Sequence, residues 1–413
     1  MAKQNLIAAL DIGGGKITAV AATVDPQKDT VQIVAGTDCP CEGLIAGRVS
    51  DIKDTSRTIK KVISYLEDET EGVITHLYLA LRGEHIETRT NKGTFTITKL
   101  DRRITAEDIE QTINAARDIP LKPNYEILST IPQGFYINNE KMKNPEGMEG
   151  DVLEIVVHIT TGATTNFNSL SRAFEDAGYE VTGRFYGLVC LAEAILSEET
   201  KDIGALIIDL GRDTTSAGVY ADGALRCSYD IKMGSDLITD DIKKVLTISH
   251  KDAEEIKLKY GTTFPSNYDN EEEIVINSLY SKEPTKINRD YLLEIIRPRV
   301  QDIFEAVKEK MQNSDFYKFA NIAVLTGGGS LLPGIKEQAR ETLGLKNVVC
   351  SGILRDLVEC DEKFLHPKYA TAIALAYFTA KKDILANYKV TKQSKNIFKR
   401  IIEFITKSDW FGG

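Results

Sequence analysis

One sequence pattern occurs twice in this chain of 413 residues, and it constrains the fold more than any other feature. An apolar strand runs into Asp11-Ile12-Gly13, and a second apolar strand runs into Asp209-Leu210-Gly211. Small and β-branched residues follow both turns in the same order. The simplest explanation is an internal duplication of one supersecondary unit. We therefore predict two matching core domains, which also agrees with the length, since single cores rarely exceed about 250–300 residues.

Each Asp-x-Gly turn contains the residue types that bind phosphate. Glycine leaves backbone N–H groups accessible to phosphate oxygens, and an Asp at a strand end suits Mg²⁺, which prefers carboxylate oxygen and keeps its waters. The residues after each turn alternate as in a strand, which excludes a P-loop or Rossmann site, because those need a helix after the glycines. One such turn alone is a common β-turn. The predicted metal ligands are Asp11 and Asp209, and the predicted nucleotide-binding residues of the turns are Gly13, Gly14, Gly15, Lys16, Gly211, Arg212, Asp213, Thr214 and Thr215.

A glycine triplet after a third apolar strand, Gly327, Gly328 and Gly329, strengthens the prediction. Such a triplet can lie flat under an adenosine, where any Cβ would collide. On a predicted helix, Glu254 and Lys257 are three residues apart and share a face, so they can hydrogen-bond ribose and adenine. Considered alone, the same pair fits a solvated ion pair equally well.

The composition is that of a globular protein, with 42% hydrophobic and 27% charged residues. A net charge of −10 argues against a general nucleic-acid binder, which normally has a basic face. The six cysteines are scattered and form neither a zinc pattern nor a disulfide framework, which fits a reducing cytoplasm. The apolar run at 6–10 is too short for a signal peptide, and the run at 369–380 is too short for a bilayer span.

The composition of the chain changes between about 82 and 162, where it becomes polar and contains several prolines. The spacing of apolar residues predicts one amphipathic helix in this segment, at 106–117. We predict an inserted α+β subdomain there. Further helices are predicted at 52–66, 236–246, 252–259, 291–313 and 368–384. The predicted divisions are a first core domain over 1–81 and 163–203 with the closing helix 368–384, the insertion over 82–162, a second core domain over 204–230 and 319–367, its outer lobe over 231–318, a linker over 385–396 and a terminal helix over 397–413.

The C-terminal tail has the pattern of an amphipathic helix. From 391 to 413 there are five basic residues against two acids, although the chain as a whole is acidic. An apolar face beside basic residues and aromatic anchors favours an anionic membrane surface. Docking on the protein itself or on a partner is nearly as good an explanation of the helix alone. The predicted membrane-binding residues are Ile397, Phe398, Lys399, Arg400, Ile401, Ile402, Ile405, Trp410 and Phe411.

The order of phosphate turn, insertion, second turn, Ala-Glu-x-x-Lys helix and Thr-Gly-Gly-Gly resembles the actin, sugar-kinase and heat-shock-chaperone ATPase superfamily. Within it the chain is most similar to the FtsA family, in segments that span it from Leu6 to the C-terminus. These segments are 77–86, 143–148, 252–257, 325–329 and 367–372. The resemblance implies an α/β, actin-like fold of two ribonuclease H-like duplicated domains, with the family's small α+β subdomain inserted between strands near residues 80 and 155 and a C-terminal amphipathic helix.

The resemblance also implies a function. FtsA proteins bind ATP and Mg²⁺, form filaments, and tether FtsZ filaments to the cytoplasmic face of the membrane at the division septum. In the family the outer lobe, here about 231–318, receives the FtsZ C-terminal peptide, and the inserted subdomain takes part in filament contacts and in recruiting later division proteins. The resemblance assigns these roles to regions of this chain and not to individual residues.

One departure from the superfamily concerns hydrolysis. Actin and the chaperones place a Gln or Glu on the helix that here begins near Tyr186, and the aligned position falls at about Val189, within one residue. Glu193 lies a turn further on. Because a missing water-orienting group removes a factor of about 10²–10⁴, we expect slow or undetectable ATP hydrolysis. Two carboxylates near the γ-phosphate, Asp209 and Asp213, are unfavourable unless Mg²⁺ or Lys16 offsets them. Lys16 is the expected partner, although it could equally point to solvent.

Two other functions remain open at this point. PilM, the related actin-fold component of type IV pilus assembly, shares the turns and the inserted subdomain but ends without an amphipathic anchor. A small-molecule kinase would need a catalytic base and a substrate cleft, and no such base stands out in the sequence.

Overall fold

The structure, a computed structural model, describes residues 5–25, 30–142, 144–265, 273–277, 284–351 and 358–388. Its strands are β1 (Asn5–Ile12), β2 (Lys16–Asp25), β3 (Thr30–Pro40), β4 (Leu44–Ile45), β5 (Arg48–Val49), β6 (Val73–Leu81), β7 (Ile86–Thr96), β8 (Tyr125–Ile137), β9 (Glu140–Met142), β10 (Val152–Ala163), β11 (Gly183–Tyr186), β12 (Ala205–Leu210), β13 (Thr215–Ala221), β14 (Ala224–Ile231), β15 (Glu273–Ile276), β16 (Thr285–Asn288), β17 (Ile322–Thr326), β18 (Asn347–Cys350) and β19 (Val358–Glu359). Its α-helices are α1 (Ile52–Thr70), α2 (Ala106–Arg117), α3 (Thr164–Ala177), α4 (Gly187–Ile195), α5 (Glu198–Ile203), α6 (Asp236–Leu246), α7 (His250–Tyr260), α8 (Arg289–Gln312), α9 (Ile335–Leu343) and α10 (Ala370–Tyr388).

Two sheets with one strand order confirm the predicted duplication. The first contains β3-β2-β1-β6-β11 as neighbours, and the second is β14-β13-β12-β17-β18. In each sheet three consecutive strands pair antiparallel, and the next two strands join in parallel. The first sheet has one further strand, β19, parallel to β3. Asp11 pairs with Thr18 on β2, and Asp209 pairs with Ser216 on β13, so the two aspartates occupy equivalent positions.

The sequence of each central strand reflects burial on both faces of its sheet. All six residues of β12 are buried, and they form a nearly continuous apolar run of the kind that covered sheets contain. Helix α1 covers the first sheet through Ile59, Val62, Ile63 and Leu66, which recur at helical spacing. Its N-terminus is fixed by Asp51, whose side chain accepts a hydrogen bond from the N–H group of residue 54.

The insertion is a separate antiparallel sheet with one helix, as predicted. Its strand order is β7-β10-β8-β9, and α2 packs on it through residues that include Ile109 and Ile113. The helix spans the predicted residues 106–117 because a capping box defines its start. The Thr105 hydroxyl accepts from the N–H of Asp108, and the Asp108 carboxylate accepts from the N–H of Thr105.

This inserted sheet also contacts the second core domain, where it covers the edge strand β14. The side chains of Thr88 and Gln133 donate hydrogen bonds to the carbonyl oxygens of Ser228 and Leu225. His158 Nε2 lies 3.0 Å from the Ser228 hydroxyl, and burial lowers the pKa of His158 to about 4, so its ring is neutral at pH 7. Side chains of the insertion therefore occupy backbone acceptors that an uncovered edge strand would expose.

The last described helix differs from its prediction. A turn of 3₁₀ helix over Pro367–Tyr369 precedes α10, which continues to Tyr388, past the predicted end at residue 384. The start of the predicted linker is therefore helical. The rest of the linker and the predicted terminal helix at 397–413 lie outside the described residues. No helix in the described ranges combines the length and the apolar character that a membrane span requires.

Candidate functional site

The two Asp-x-Gly turns have the same backbone geometry. The N–H of Gly13 donates to the carbonyl of Lys16 at 3.1 Å, and the N–H of Gly211 donates to the carbonyl of Thr214 at 3.0 Å. Each turn thus closes a tight hairpin, between β1 and β2 and between β12 and β13. In the first hairpin Gly15 has φ = 122°, a conformation that strongly favours glycine.

The two hairpins meet between the core domains. A Cβ on Gly14 would lie 2.5 Å from the Asp213 carboxylate, and a Cβ on Gly15 would lie 2.7 Å from an Arg212 guanidinium nitrogen. The Asp213 carboxylate also accepts a hydrogen bond from the N–H of Ala46 at 3.0 Å. Burial raises the pKa of Asp213 more than this hydrogen bond and the nearby Arg212 lower it. The first turn needs glycine because the second turn approaches it so closely.

A cleft of about 710 Å³ opens beside this contact, a volume within the range of small-molecule sites. Both turns line it, and so do the loop after β3 and the start of α6. Acidic side chains outnumber basic ones in its wall, so backbone N–H groups and the two bases must supply the attraction for a phosphate. The charged lining residues are Glu42, Arg212, Asp213, Lys232, Asp236 and Asp240.

Asp11 and Asp209 come together, as predicted, but an arginine lies between them. Arg82 follows β6 directly, and its side chain is only 8% exposed. Its Nη2 lies 2.9 Å from both carboxylate oxygens of Asp11, and its Nη1 lies 2.6 Å from Oδ2 of Asp209. Nη2 also donates to the hydroxyl of Thr371 on α10 at 2.7 Å. One guanidinium therefore joins the equivalent carboxylates of both core domains.

In this arrangement the two aspartates do not fit Mg²⁺. Mg²⁺ requires oxygen ligands at about 2.0–2.1 Å, and three of the four carboxylate oxygens already accept hydrogen bonds from Arg82. The described residues contain no cluster of three or more His, Cys, Asp or Glu that could hold a metal ion. These contacts do not support the predicted Mg²⁺ at Asp11 and Asp209, which stays untested, and we derive no chemistry from it.

Sequence reasoning missed Arg82. It predicted Mg²⁺ at Asp11 and Asp209, with Lys16 as the partner of Asp209 and Asp213. Lys16 instead lies 3.7 Å from Asp38, which also pairs with Lys368 at 2.7 Å. A signal for Arg82 was present in the sequence, because an arginine directly after a buried strand parallel to β1 lies at the same sheet edge as Asp11.

Glu254 and Lys257 form an ion pair at 2.6 Å, but the lysine is buried rather than solvated. Its ammonium group also donates to the hydroxyl of Thr239 at 2.7 Å and to the carbonyl of Ser235 at 3.2 Å. Burial raises the pKa of Glu254, but its hydrogen bond and ion pair with Lys257 outweigh this effect and lower the pKa overall. The pair therefore fixes α7 against α6, with the carboxylate half-exposed.

Ser235, which the sequence analysis did not select, brings the remaining parts together. Its N–H donates to the carbonyl of Gly211 at 2.9 Å, its carbonyl accepts from Lys257, and its Cβ lies 3.5 Å from where a Cβ on Gly329 would be. The second turn, the α6–α7 pair and the glycine triplet thus converge at one point. A Cβ on Gly328 would meet no atom within 4 Å, so this part of the triplet faces open space. The Ser-Asp step before an amphipathic helix was the available signal, since such residues begin helices.

The helix position expected to orient a water molecule is apolar. Val189 on α4 packs, partly buried, against the core of the first domain. Glu193 pairs with the buried Lys201 at 2.8 Å. Neither side chain is arranged to activate water.

Comparisons with known proteins decide the family. A family model described as "Cell division protein FtsA" matches residues 206–374, and one described as "SHS2 domain inserted in FTSA" matches 83–161. The chain is 31% identical to the cell division protein FtsA of Neisseria meningitidis serogroup B over 382 residues, which are 92% of this chain and 91% of that protein. The chain belongs to the FtsA family. FtsA of Escherichia coli K12 is 26% identical over 399 residues, 94% of each chain.

Solved structures confirm the predicted α/β, actin-like fold of this FtsA family member. A chain of the PilM–PilN type IV pilus biogenesis complex superposes with a TM-score of 0.66 at 18% identity, covering 91% of this chain and 98% of that one. MreB5 of Spiroplasma citri bound to ADP superposes with a TM-score of 0.54 at 15% identity, covering 92% and 98%. At these identities the likeness concerns the fold alone.

Proposed function

We propose that this chain is a nucleotide-binding scaffold of bacterial cell division that attaches FtsZ filaments to the cytoplasmic face of the membrane at the septum. The observation that supports nucleotide binding is the pair of matching hairpins that meet between the core domains and both line the adjacent cleft. Backbone N–H groups of the two turns can bind phosphates from opposite sides. MreB5, which has this fold, is bound to ADP in its solved structure, and this supports the proposal.

ATP is the proposed ligand, and the adenosine is assigned to the open face of Gly328 beside Ser235 and Glu254. The half-exposed Glu254 carboxylate can accept hydrogen bonds from ribose hydroxyls, and the buried Lys257 holds it in place. The apolar Val189 supports slow hydrolysis, so nucleotide acts as a link between the domains and a filament switch. Gly13, Gly14, Gly15, Gly211, Arg212, Asp213, Thr214 and Thr215 are the proposed phosphate-side residues.

Calorimetric titration of ATP into the full chain tests this assignment. We expect Gly328→Val to weaken ATP binding at least about tenfold, because its side chain would fill the space assigned to the base. The melting temperature of the same variant checks that it folds, and a Cβ at this position meets no atom within 4 Å. Equal ATP affinities in the two proteins would remove the adenosine from this face.

The tether part of the proposal rests on family membership and on the tail pattern. FtsA family members are described as cell division proteins. We propose the outer lobe, about 231–318, as the region for the FtsZ C-terminal peptide, with self-association and later division proteins as further partners. The resemblance to PilM is one of fold, while both family models and the curated relatives favour cell division over pilus assembly.

One liposome experiment tests both ends of the tether. A labelled FtsZ C-terminal peptide should sediment with anionic liposomes when the full chain is present. The amount of sedimented peptide should fall at least about tenfold when residues 394–413 are deleted. The shortened chain should still bind the peptide in solution. Sedimentation of the shortened chain would disprove the tail assignment. Failure of the full chain to bind the peptide would disprove the FtsZ assignment and favour the pilus alternative.

A further inference from the structure

Arg82 is a buried charge that the proposed function does not use. Its guanidinium makes four close contacts, with both oxygens of Asp11, one oxygen of Asp209 and the hydroxyl of Thr371. The Arg82 side chain is 8% exposed, and those of Asp11 and Asp209 are 12% and 3% exposed. A buried charge is tolerated only when partners compensate it, and a planar guanidinium suits carboxylates on several sides.

The contacts of Arg82 connect the two core domains. Asp11 belongs to the first core domain and Asp209 to the second, at equivalent places in the two sheets. Arg82 Nη1 also lies 3.4 Å from where a Cβ on Gly211 would be, so the cation reaches the second phosphate turn. Two carboxylates that would repel each other across the interface are joined by one positive group. A bound divalent ion would have the same effect at this place.

Arg82 and a divalent ion compete for the same oxygens. The ion would have to displace the guanidinium from Asp11 and Asp209, and the displaced charge would need new partners in a buried region. One further contact opposes that movement, because the guanidinium also donates from Nη2 to the hydroxyl of Thr371 on α10.

We propose that Arg82 is the resident cation of this interdomain site and takes the place of Mg²⁺. It holds the core domains together without metal, and it offsets the carboxylate charge beside bound phosphates. The first consequence is that closure of the domains is independent of divalent ions. The second, which rests on the proposed nucleotide function, is that the chain binds ATP equally well with and without Mg²⁺.

The first consequence is tested on the full chain without nucleotide, by thermal unfolding in EDTA and in MgCl₂. The wild-type melting temperature should be the same in both. Arg82→Ala should melt lower in EDTA, because two buried carboxylates lose their counter-ion, and MgCl₂ should restore part of the loss. Arg82→Lys keeps the positive charge but loses the planar guanidinium, so its melting temperature should lie between those of wild type and Arg82→Ala. This variant replaces Arg82→Ala in the test if the alanine variant does not fold. Arg57→Ala removes an arginine that is 78% exposed and should behave as wild type in both buffers.

The second consequence is tested by ATP titration of the same proteins in the same two buffers. The wild-type dissociation constant should change by less than about threefold when Mg²⁺ is added, whereas that of Arg82→Ala should fall at least about tenfold and that of Arg82→Lys by an intermediate factor. A wild-type protein that MgCl₂ stabilises and that binds ATP only with Mg²⁺ would overturn the proposal. If wild type binds ATP in neither buffer, the proposed nucleotide function fails, and the unfolding result alone decides whether Arg82 is the cation that joins the domains.

Discussion

Replacing Gly327 by alanine should destabilise the protein by about 3 kcal/mol or more, while the same change at Gly328 should alter stability by less than about 0.5 kcal/mol. Gly327 has φ = 81° and ψ = 171°, a backbone region that is essentially restricted to glycine. A Cβ there would also lie 2.2 Å from Oδ1 of Asp209 and 2.7 Å from the carbonyl oxygen of Leu210. Asp209 cannot easily move aside, because its other oxygen accepts from Arg82 at 2.6 Å.

Urea unfolding of both variants measures the difference. Gly328→Ala is the matched control, since it adds the same atom one residue later in open space. Equal losses of stability would show that the triplet needs glycine for a reason other than the approach of Gly327 to Asp209. Loss of soluble Gly327→Ala protein with a normal yield of Gly328→Ala would agree with the prediction.

The parts of the fold that follow local rules could be predicted from the sequence. Matching apolar strands before Asp11 and Asp209 were enough to predict the duplication, because the pattern repeats over a whole strand–turn–strand unit. Helix 106–117 was predicted to the residue from its amphipathic pattern, and its capping box, Thr105 and Asp108, is a second local signal of the same start. In each case the interacting groups lie close together in the sequence.

The site was only partly predictable, because its pairings depend on the relation between distant segments. Arg82 reaches Asp209 across a sequence separation of 127 residues and Thr371 across 289. Helical spacing predicted that Glu254 and Lys257 would touch. It could not show that α6 buries the lysine, since Thr239 and Ser235 come from another helix. Lys16 had the right charge close to the turn, but the antiparallel pairing of β2 with β3 brings it to Asp38.

The pH dependence of stability should identify a third carboxylate near Arg82. Asp230 on β14 accepts a hydrogen bond from the hydroxyl of Ser216, and burial raises its pKa to about 7, even though this bond and the Arg82 charge oppose the shift. Arg82 already neutralises two carboxylates, so a third one nearby is favoured in its neutral form. Burial likewise raises the pKa of Asp209, in spite of its ion pair with Arg82.

Between about pH 4 and pH 7 the folded protein therefore keeps a proton on Asp230 that the unfolded chain has released. Because the folded pKa is the higher one, this contribution to stability is complete below about pH 4 and is lost as the pH rises through 7.

We expect Asp230→Asn, which resembles the protonated acid, to be about 2–4 kcal/mol more stable than wild type at about pH 8.5. At about pH 6 this gain in the free energy of unfolding should be smaller by about 1 kcal/mol or more. Both pH values lie above the sequence pI of about 5.3, so the protein is negatively charged in both measurements. Urea unfolding at the two pH values gives the comparison, with Asp361→Asn, which changes an exposed aspartate, as the control. A variant that loses stability equally at both pH values would show that Asp230 is ionised in the folded protein, in which case Arg82 would compensate three carboxylates instead of two.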